Sequence, residues 1–138
     1  METVFEISSI SELNEPASFI LKCAKKHPLV LFNGDMGAGK TTLIGEICKL
    51  LNVDSTSSPT YSIVNTYYSP QNGEFYHLDL YRLKDEIEAL DSGLEEILDS
   101  EKLCFIEWPE KIHNLLPNKF VEVGIKVKNN LRKITVST

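Results

Sequence analysis

The amino-acid sequence predicts an α/β domain in which helices cover a mixed sheet on both faces. Apolar runs of strand length alternate with segments of helical periodicity along the chain. A glycine-rich segment joins one apolar run to a helix, and two pairs of strands are separated only by turn residues. We therefore expect a three-layer α/β domain with a mixed central sheet and an antiparallel C-terminal hairpin.

Length and composition indicate one globular domain over residues 1–138. The chain is 42% hydrophobic and 25% charged, and its formal net charge is −6. Such an acidic balance disfavours a protein that holds RNA or DNA alone across a broad basic face. It leaves open a role in nucleic-acid chemistry through partners.

The chain shows no apolar run of membrane-span length, and its first residues lack the basic and apolar regions of a signal peptide. Three cysteines, Cys23, Cys48 and Cys104, lie in apolar segments without metal-type spacing. This pattern disfavours a disulfide framework or a zinc site. We expect a cytoplasmic protein that has no membrane partner and is monomeric when free.

The first elements are a short strand around Val4–Ile7 and a helix that runs towards Lys26. Pro16 fits the first turn of a helix better than its interior, so the main helix is predicted to begin near Asn14. We expect this helix to pack against the sheet.

The most informative stretch begins with the buried strand Leu29–Phe32. Residues Gly34–Thr41 then fit G-x-x-x-x-G-K-[ST], the phosphate-binding P-loop, and the following residues have helical spacing. Main-chain amides of such a loop surround an anion, helped by the helix dipole. The alternative is a glycine-rich turn that matches by chance. The predicted nucleotide-binding residues are Gly34, Asp35, Met36, Gly37, Ala38, Gly39, Lys40, Thr41 and Thr42.

Within this motif, Lys40 is expected to reach the β- and γ-phosphates and the Thr41 hydroxyl to bind Mg²⁺. The polar segment 52–60 that follows the helix reads as a loop. Thr60 in it could give a hydroxyl to Mg²⁺ or to the γ-phosphate. An ordinary linker is the alternative.

A hairpin is predicted next, from Tyr61–Tyr68 and Glu74–Leu80 around a turn cluster. His77 and Asp79 share one face of the second strand, where they could orient water or hold metal-bound water. A structural hydrogen bond or salt bridge, for example between Asp79 and Arg82, is the alternative.

The acidic segment 84–102 has a helical apolar stripe that Gly93 is expected to break into two helices. The apolar run 103–106 then ends in Glu107, where a nucleotide-binding sheet places an acid that holds Mg²⁺. Trp108 could contact the nucleotide base or a partner, and a packing role at the rim is equally open.

The C-terminal hairpin pairs an alternating strand at residues 120–127 with a last strand around Ile134. It carries a small basic cluster that could face phosphate or a partner, although solvated lysines are commoner. The cluster comprises Lys126, Lys128, Arg132 and Lys133.

ATP is favoured over GTP because the chain lacks a guanine-binding Asn-Lys-x-Asp segment: after Asn118-Lys119, Val121 stands where Asp is required. The predicted catalytic set is Lys40, Glu107 and a water-orienting group, either Asp79 or Thr60. No obvious arginine finger is present, although Arg82 is possible and a partner could supply one. A small P-loop kinase and a nucleotide-dependent binding module are the alternatives, the kinase being weakened because the chain has only two arginines.

Four stretches resemble the TsaE family in order and spacing: Leu31–Thr42, Ser58–Tyr61, His77–Arg82 and Ile106–Glu110. The resemblance covers nearly the whole chain and is more specific than a P-loop alone. Met36 and Tyr61 stand where the family commonly has Leu and Phe, and both keep the apolar character and size.

The resemblance implies a P-loop ATPase, with ATP and Mg²⁺, that is needed for threonylcarbamoyladenosine modification of transfer RNA. TsaE proteins bind the TsaD–TsaB pair and meet tRNA only indirectly, through that complex. By the family pattern, Thr60 lies in a switch-like loop, Thr41 and Glu107 serve Mg²⁺, Asp79 is the water-positioning or metal-linked acid, and Trp108 lies near the nucleotide.

Overall fold

The computed structural model describes residues 1–35, 37–53 and 63–138. The predictions made for Met36 and Thr60, and for the loop that contains Thr60, concern residues outside these ranges.

One seven-stranded sheet organises the described residues. The strands are β1 (Glu2–Ile7), β2 (Leu29–Asn33), β3 (Val64–Ser69), β4 (Gly73–Asp79), β5 (Cys104–Glu107), β6 (Val121–Lys128) and β7 (Leu131–Ser137). Their order across the sheet is β1-β7-β6-β2-β5-β4-β3. Strands β6, β2, β5 and β4 run parallel, whereas β3 and the β7–β1 pair are antiparallel to their neighbours. The predicted mixed sheet and antiparallel C-terminal hairpin are confirmed.

The helices begin and end close to where the sequence predicts. They are α1 (Asn14–Ala24), α2 (Lys40–Leu50), α3 (Glu86–Asp91) and α4 (Leu94–Leu98). Pro16 lies in the first turn of α1, where its missing N–H breaks no helical hydrogen bond. Gly93 adopts φ +77° between α3 and α4, so the predicted break occurs at this glycine. A 3₁₀ segment, Pro109–Leu115, follows β5 and was not predicted.

Two apolar layers cover the two faces of the sheet. Helices α1 and α2 bury side chains such as Ile20, Leu43 and Ile47 against one face. Helices α3 and α4 and the 3₁₀ segment pack against Leu78 and Ile106 on the other. Both faces of the sheet carry apolar side chains, and burial under helices removes them from water. The domain therefore has three layers.

The cysteines contribute to this packing as free thiols. Burial raises the pKa of the Cys48 thiol to about 11 and that of Cys104 to about 12, so both stay protonated near neutral pH. None of the helices in the described ranges has the length and apolar character required to cross a membrane.

Three phenylalanines on neighbouring strands pack against one another at the centre of the sheet. The Phe105 ring lies between Phe32 and Phe75, with centroid distances of 5.9 and 5.8 Å and edge-to-face geometry. All three are fully buried. Such pairs add to the stabilisation from burial because the ring edge is positive and the ring face negative.

We expect Phe105→Ala to lower the free energy of unfolding by about 3–5 kcal/mol, because it removes a buried ring and leaves a cavity among the strands. Urea denaturation measures this loss. Tyr68→Ala is the control, since Tyr68 is 69% exposed, and a change within about 0.5 kcal/mol is expected for it. Equal effects of the two substitutions would contradict the assigned core.

Candidate functional site

The site lies where the parallel strands end. In the register of the sheet, Phe32 of β2 is opposite Glu107 of β5, and Glu107 is opposite Asp79 of β4. The carboxyl ends of these strands therefore meet at one edge, directly beside the loop that leaves β2. Ligands bind at this edge in open α/β sheets.

The loop between β2 and α2 has the backbone geometry that its glycines allow. Gly37 and Gly39 adopt φ values of +83° and +107°, in the left-handed region that other residues rarely occupy. Helix α2 begins immediately afterwards, and the Leu43 amide donates to the Gly39 carbonyl at 3.0 Å. Because Gly39 offers no capping side chain, the first-turn amides of α2 remain available to an anion.

Lys40 is buried at the base of this loop, with 5% of its surface exposed. Its Nζ donates to the carbonyl oxygen of Gly34 at 2.8 Å and lies 3.6 Å from the centre of the Trp108 ring. The Trp108 ring in turn lies 5.1 Å from that of Tyr81. Trp108 therefore forms one wall of the site and contacts its most buried cation.

Glu107 connects the loop to the neighbouring strands. Its Oε2 lies 2.7 Å from Nε2 of His77, and its Oε1 accepts from the Thr41 hydroxyl at 3.5 Å. Glu107 and His77 are 4% and 8% exposed. The imidazole donates this hydrogen bond in the tautomer that carries its proton on Nε2, because an ionised carboxylate only accepts.

Asp79 is exposed in the same cleft. Its Oδ1 accepts from the backbone amide of Tyr81 at 3.2 Å, which holds the carboxylate at the end of β4. The sequence grouped His77 with Asp79, but their surroundings differ: His77 forms a buried hydrogen bond with Glu107, whereas Asp79 is exposed in the cleft. His77 thus forms a hydrogen bond of the kind that the structural alternative described, with a partner that the sequence did not suggest.

These side chains enclose a cleft of about 340 Å³. It is lined by Gly37, Gly39, Lys40, Thr41, Thr42, Asp79, Tyr81, Glu107, Trp108 and Arg132. The structure thus brings together most of the predicted site residues. Gly34 contributes its carbonyl to Lys40, Ala38 is buried within the loop, and Asp35 is exposed at the loop surface.

Tyr81 and Arg132 line the cleft, although neither was among the predicted site residues. For the basic cluster that includes Arg132, the sequence had left phosphate, a partner and solvent open. Alternation along β7 places Arg132 on the same face as the apolar Ile134 and Val136. This pattern could have indicated that Arg132 lies on the inner face of the strand. The basic cluster of the last hairpin is in fact divided, since Lys126, Lys128 and Lys133 are exposed to solvent.

Thr41 and Glu107, the predicted Mg²⁺ ligands, are adjacent. No cluster of three or more His, Cys, Asp or Glu residues suited to a metal occurs within the described part of the chain. Mg²⁺ fits this sparse set, because it commonly takes one or two protein oxygens and fills its other positions with water and substrate phosphates. The pair is therefore compatible with a metal that arrives with a phosphate ligand.

A parallel strand that continues through a glycine-rich loop into a helix, beside a strand that ends in an acid, defines the P-loop fold typical of nucleotide-binding proteins. A solved structure agrees: the crystal structure of Bacillus subtilis YdiB matches with a TM-score of 0.76 and 26% identity, covering 99% of this chain and 84% of that one.

The family model of TsaE, described as threonylcarbamoyl adenosine biosynthesis protein TsaE, matches residues 7–134. The tRNA threonylcarbamoyladenosine biosynthesis protein TsaE of Rickettsia bellii is 39% identical over 130 residues, covering 93% of this chain and 89% of the relative. The protein of the same name from Haemophilus influenzae is 37% identical over 120 residues, which cover 86% of this chain and 75% of the relative. The chain belongs to the TsaE family, and the resemblance found in the sequence is confirmed.

The buried pair of His77 and Glu107 generates a prediction about stability. We expect His77→Ala to lower the free energy of unfolding by about 1–3 kcal/mol, because it leaves one oxygen of Glu107 without its partner. The loss should be smaller in a Glu107→Ala background, which removes the acceptor, and a double-mutant cycle followed by urea denaturation measures the difference. Strictly additive effects would show that the two side chains do not interact.

Proposed function

We propose that this chain binds ATP with Mg²⁺, hydrolyses it, and serves as an accessory subunit in threonylcarbamoyladenosine modification of tRNA. One observation carries the proposal: Lys40, Thr41, Asp79 and Glu107 converge on a single cleft at the start of α2. This set supplies positive charge, a hydroxyl and two carboxylates, which are the groups that phosphoryl transfer to water requires.

The main-chain amides of the loop and of the first turn of α2 would hold the phosphates. Lys40 would exchange its bond to the Gly34 carbonyl, 2.8 Å long here, for a bond to phosphate oxygen. A charged partner binds the ammonium more strongly than a neutral carbonyl does, so the exchange is favourable.

Thr41 and Glu107 would hold Mg²⁺, which supplies charge neutralisation to the phosphates. The buried His77 fixes the Glu107 carboxylate through their 2.7 Å contact, so the acid keeps one orientation. Asp79 is exposed in the cleft, where its Oδ1 accepts a hydrogen bond from the backbone amide of Tyr81. Its remaining acceptor capacity suits it to orient an attacking water.

The role in tRNA modification is inferred from the family. The relatives from Rickettsia and Haemophilus are named as tRNA threonylcarbamoyladenosine biosynthesis proteins. We propose that this chain likewise acts on a TsaD–TsaB complex and meets tRNA only through it. The net charge of −6 supports an indirect role, because an acidic surface repels the RNA backbone.

Lys40→Ala is expected to weaken binding of Mg-ATP on the order of a hundredfold or more, because it removes the buried cation of the cleft. Isothermal titration calorimetry measures the affinity. Lys49→Ala is the matched control: Lys49 lies on the same helix, its side chain is 78% exposed, and it pairs with Glu46 at 3.8 Å. Unchanged affinity after Lys40→Ala would refute the nucleotide site.

ATP turnover is expected to rise when purified TsaD and TsaB are added, since the proposed role requires the complex. Steady-state phosphate release measures it, and Glu107→Gln should abolish the rise while leaving the loop amides and Lys40 in place. Nucleotide binding without turnover, alone and with the partners, would instead identify a nucleotide-dependent binding module.

A further inference from the structure

Strand β1 forms one end of the sheet, where it pairs with β7 on one side. The first and last residues of the chain show how this pairing begins. The amino group of Met1 donates to the carbonyl oxygen of Thr138 at 3.3 Å, and the Thr138 amide donates to the Met1 carbonyl at 3.1 Å. These two residues therefore form a hydrogen-bonded pair of the antiparallel ladder, which fixes the direction of the backbone groups that follow.

The backbone groups of β1 that point away from β7 belong to Glu2, Val4 and Glu6, because bonded pairs alternate along an antiparallel ladder. The next outward amide, that of Ser8, donates to Oε1 of Glu12 at 3.3 Å. Bonds from the hydroxyl and the amide of Ser8 lower the pKa of the Glu12 carboxyl, so it is charged at neutral pH. No residue of the described ranges pairs with the outward groups of Val4 and Glu6, so the middle of β1 is an open edge.

A groove of about 500 Å³ runs along this edge, between Val4–Ile7 of β1 and Asn14–Pro16 at the start of α1. Its acidic lining residues are Glu6, Glu12 and Glu15, and no basic residue from the described part of the chain lines it. The groove therefore combines free backbone donors and acceptors with a negative potential.

The charges of β1 disfavour a second copy of this chain as the occupant. In the antiparallel pairing that overlaps two β1 strands most fully, Val4 lies opposite Val4, and Glu2 of one copy lies opposite Glu6 of the other. Like charges directly opposite each other destabilise a sheet. The same carboxylates repel a nucleic-acid backbone. A basic polypeptide, in contrast, gains favourable cross-strand pairs.

We propose that β1 is a docking edge for an extended, basic segment of a partner protein, which adds to the sheet as a further strand. Main-chain hydrogen bonds supply affinity in this binding mode, and alternate side chains supply specificity. Lysine or arginine side chains of the segment meet Glu2 and Glu6 on one face and the acids beside α1 on the other. The edge lies outside the nucleotide cleft, so the inference does not depend on the proposed function.

The probe is a short synthetic peptide with the repeat Lys-Lys-Val-Val, whose lysines fall on both faces of a strand. Hydrogen exchange followed by NMR locates its binding. In the free chain, the Val4 and Glu6 amides should exchange about tenfold or more faster than those of Thr3 and Phe5, which bond β7. The peptide should slow exchange at Val4 and Glu6. Failure of the peptide to bind, or binding that leaves these two amides unprotected, would overturn the proposal.

The charge requirement is tested with Glu15→Lys and its matched control, Glu96→Lys. Both acids are exposed and lie in the first turn of a helix, so the two substitutions change the net charge and the helix-dipole interaction alike. We expect Glu15→Lys to weaken peptide binding about threefold or more, since an attractive pair becomes repulsive. Glu96→Lys should bind the peptide like the unmodified chain. Calorimetric titration measures both affinities, and equal values would overturn the proposal.

Two changes separate strand addition from simple charge attraction. Val4→Pro removes an outward amide and spares the bonds to β7, so it should weaken the peptide about tenfold, whereas Val4→Thr keeps the amide and should not. If thermal denaturation shows that Val4→Pro unfolds, the peptide with all its amides N-methylated serves instead, because it keeps the charge and lacks the donors. Equal binding of the methylated and unmethylated peptides would overturn the proposal. Glu15→Lys should bind Mg-ATP like the unmodified chain, which keeps this test separate from that of the nucleotide site.

Discussion

The parallel pairing of β2, β5 and β4 is the constraint on which the site depends. One line of the register joins Phe32, Glu107 and Asp79, so the strand that leads into the loop and the two acids end at the same level. A slip of β5 by one residue would turn Glu107 to the face occupied by Ile106, among apolar side chains. The carboxylate would then lose both His77 and Thr41, and burying it without them is strongly unfavourable.

The same register explains how polar groups are accommodated at the rim of an apolar core. Lys40, His77 and Glu107 are buried, yet each has a partner from a different element. Among the residues that the structure describes, no fully buried side-chain nitrogen or oxygen lacks a hydrogen bond. Satisfied polar groups of this kind fix the positions of their neighbours. Two side chains that line the cleft, Lys40 and Glu107, are therefore held in place by partners within the chain.

The parts of the fold that were predicted from the sequence depend on local patterns. The strand, loop and helix around Lys40 follow from a short motif, and the break at Gly93 and the position of Pro16 follow from single-residue backbone preferences. The placement of Glu107 beside the loop required only the expectation that β5 neighbours β2. Each of these predictions needed only a few neighbouring residues or a common order of strands.

What the sequence did not reveal depends on contacts between distant segments. His77 and Glu107 are thirty residues apart, and their contact follows from how β4 and β5 align. Arg132 meets Gly39 only because β7 folds back beside β6, which itself pairs with β2. In the sequence Arg132 was grouped with three lysines. Alternation along β6 and β7 places it on the opposite face from them, but does not say which segment that face meets. Non-local geometry of this kind follows from sheet topology, which periodicity does not specify.

Trp108 has a practical consequence, because it is the only tryptophan of the chain. Its indole lies against the Lys40 ammonium at 3.6 Å and beside the phenol of Tyr81. The emission of an indole responds to nearby charge and polarity, so any event that draws the ammonium away from the ring changes the optical signal. The protein thus carries its own spectroscopic reporter, and occupancy of the cleft is readable by fluorescence without an attached dye.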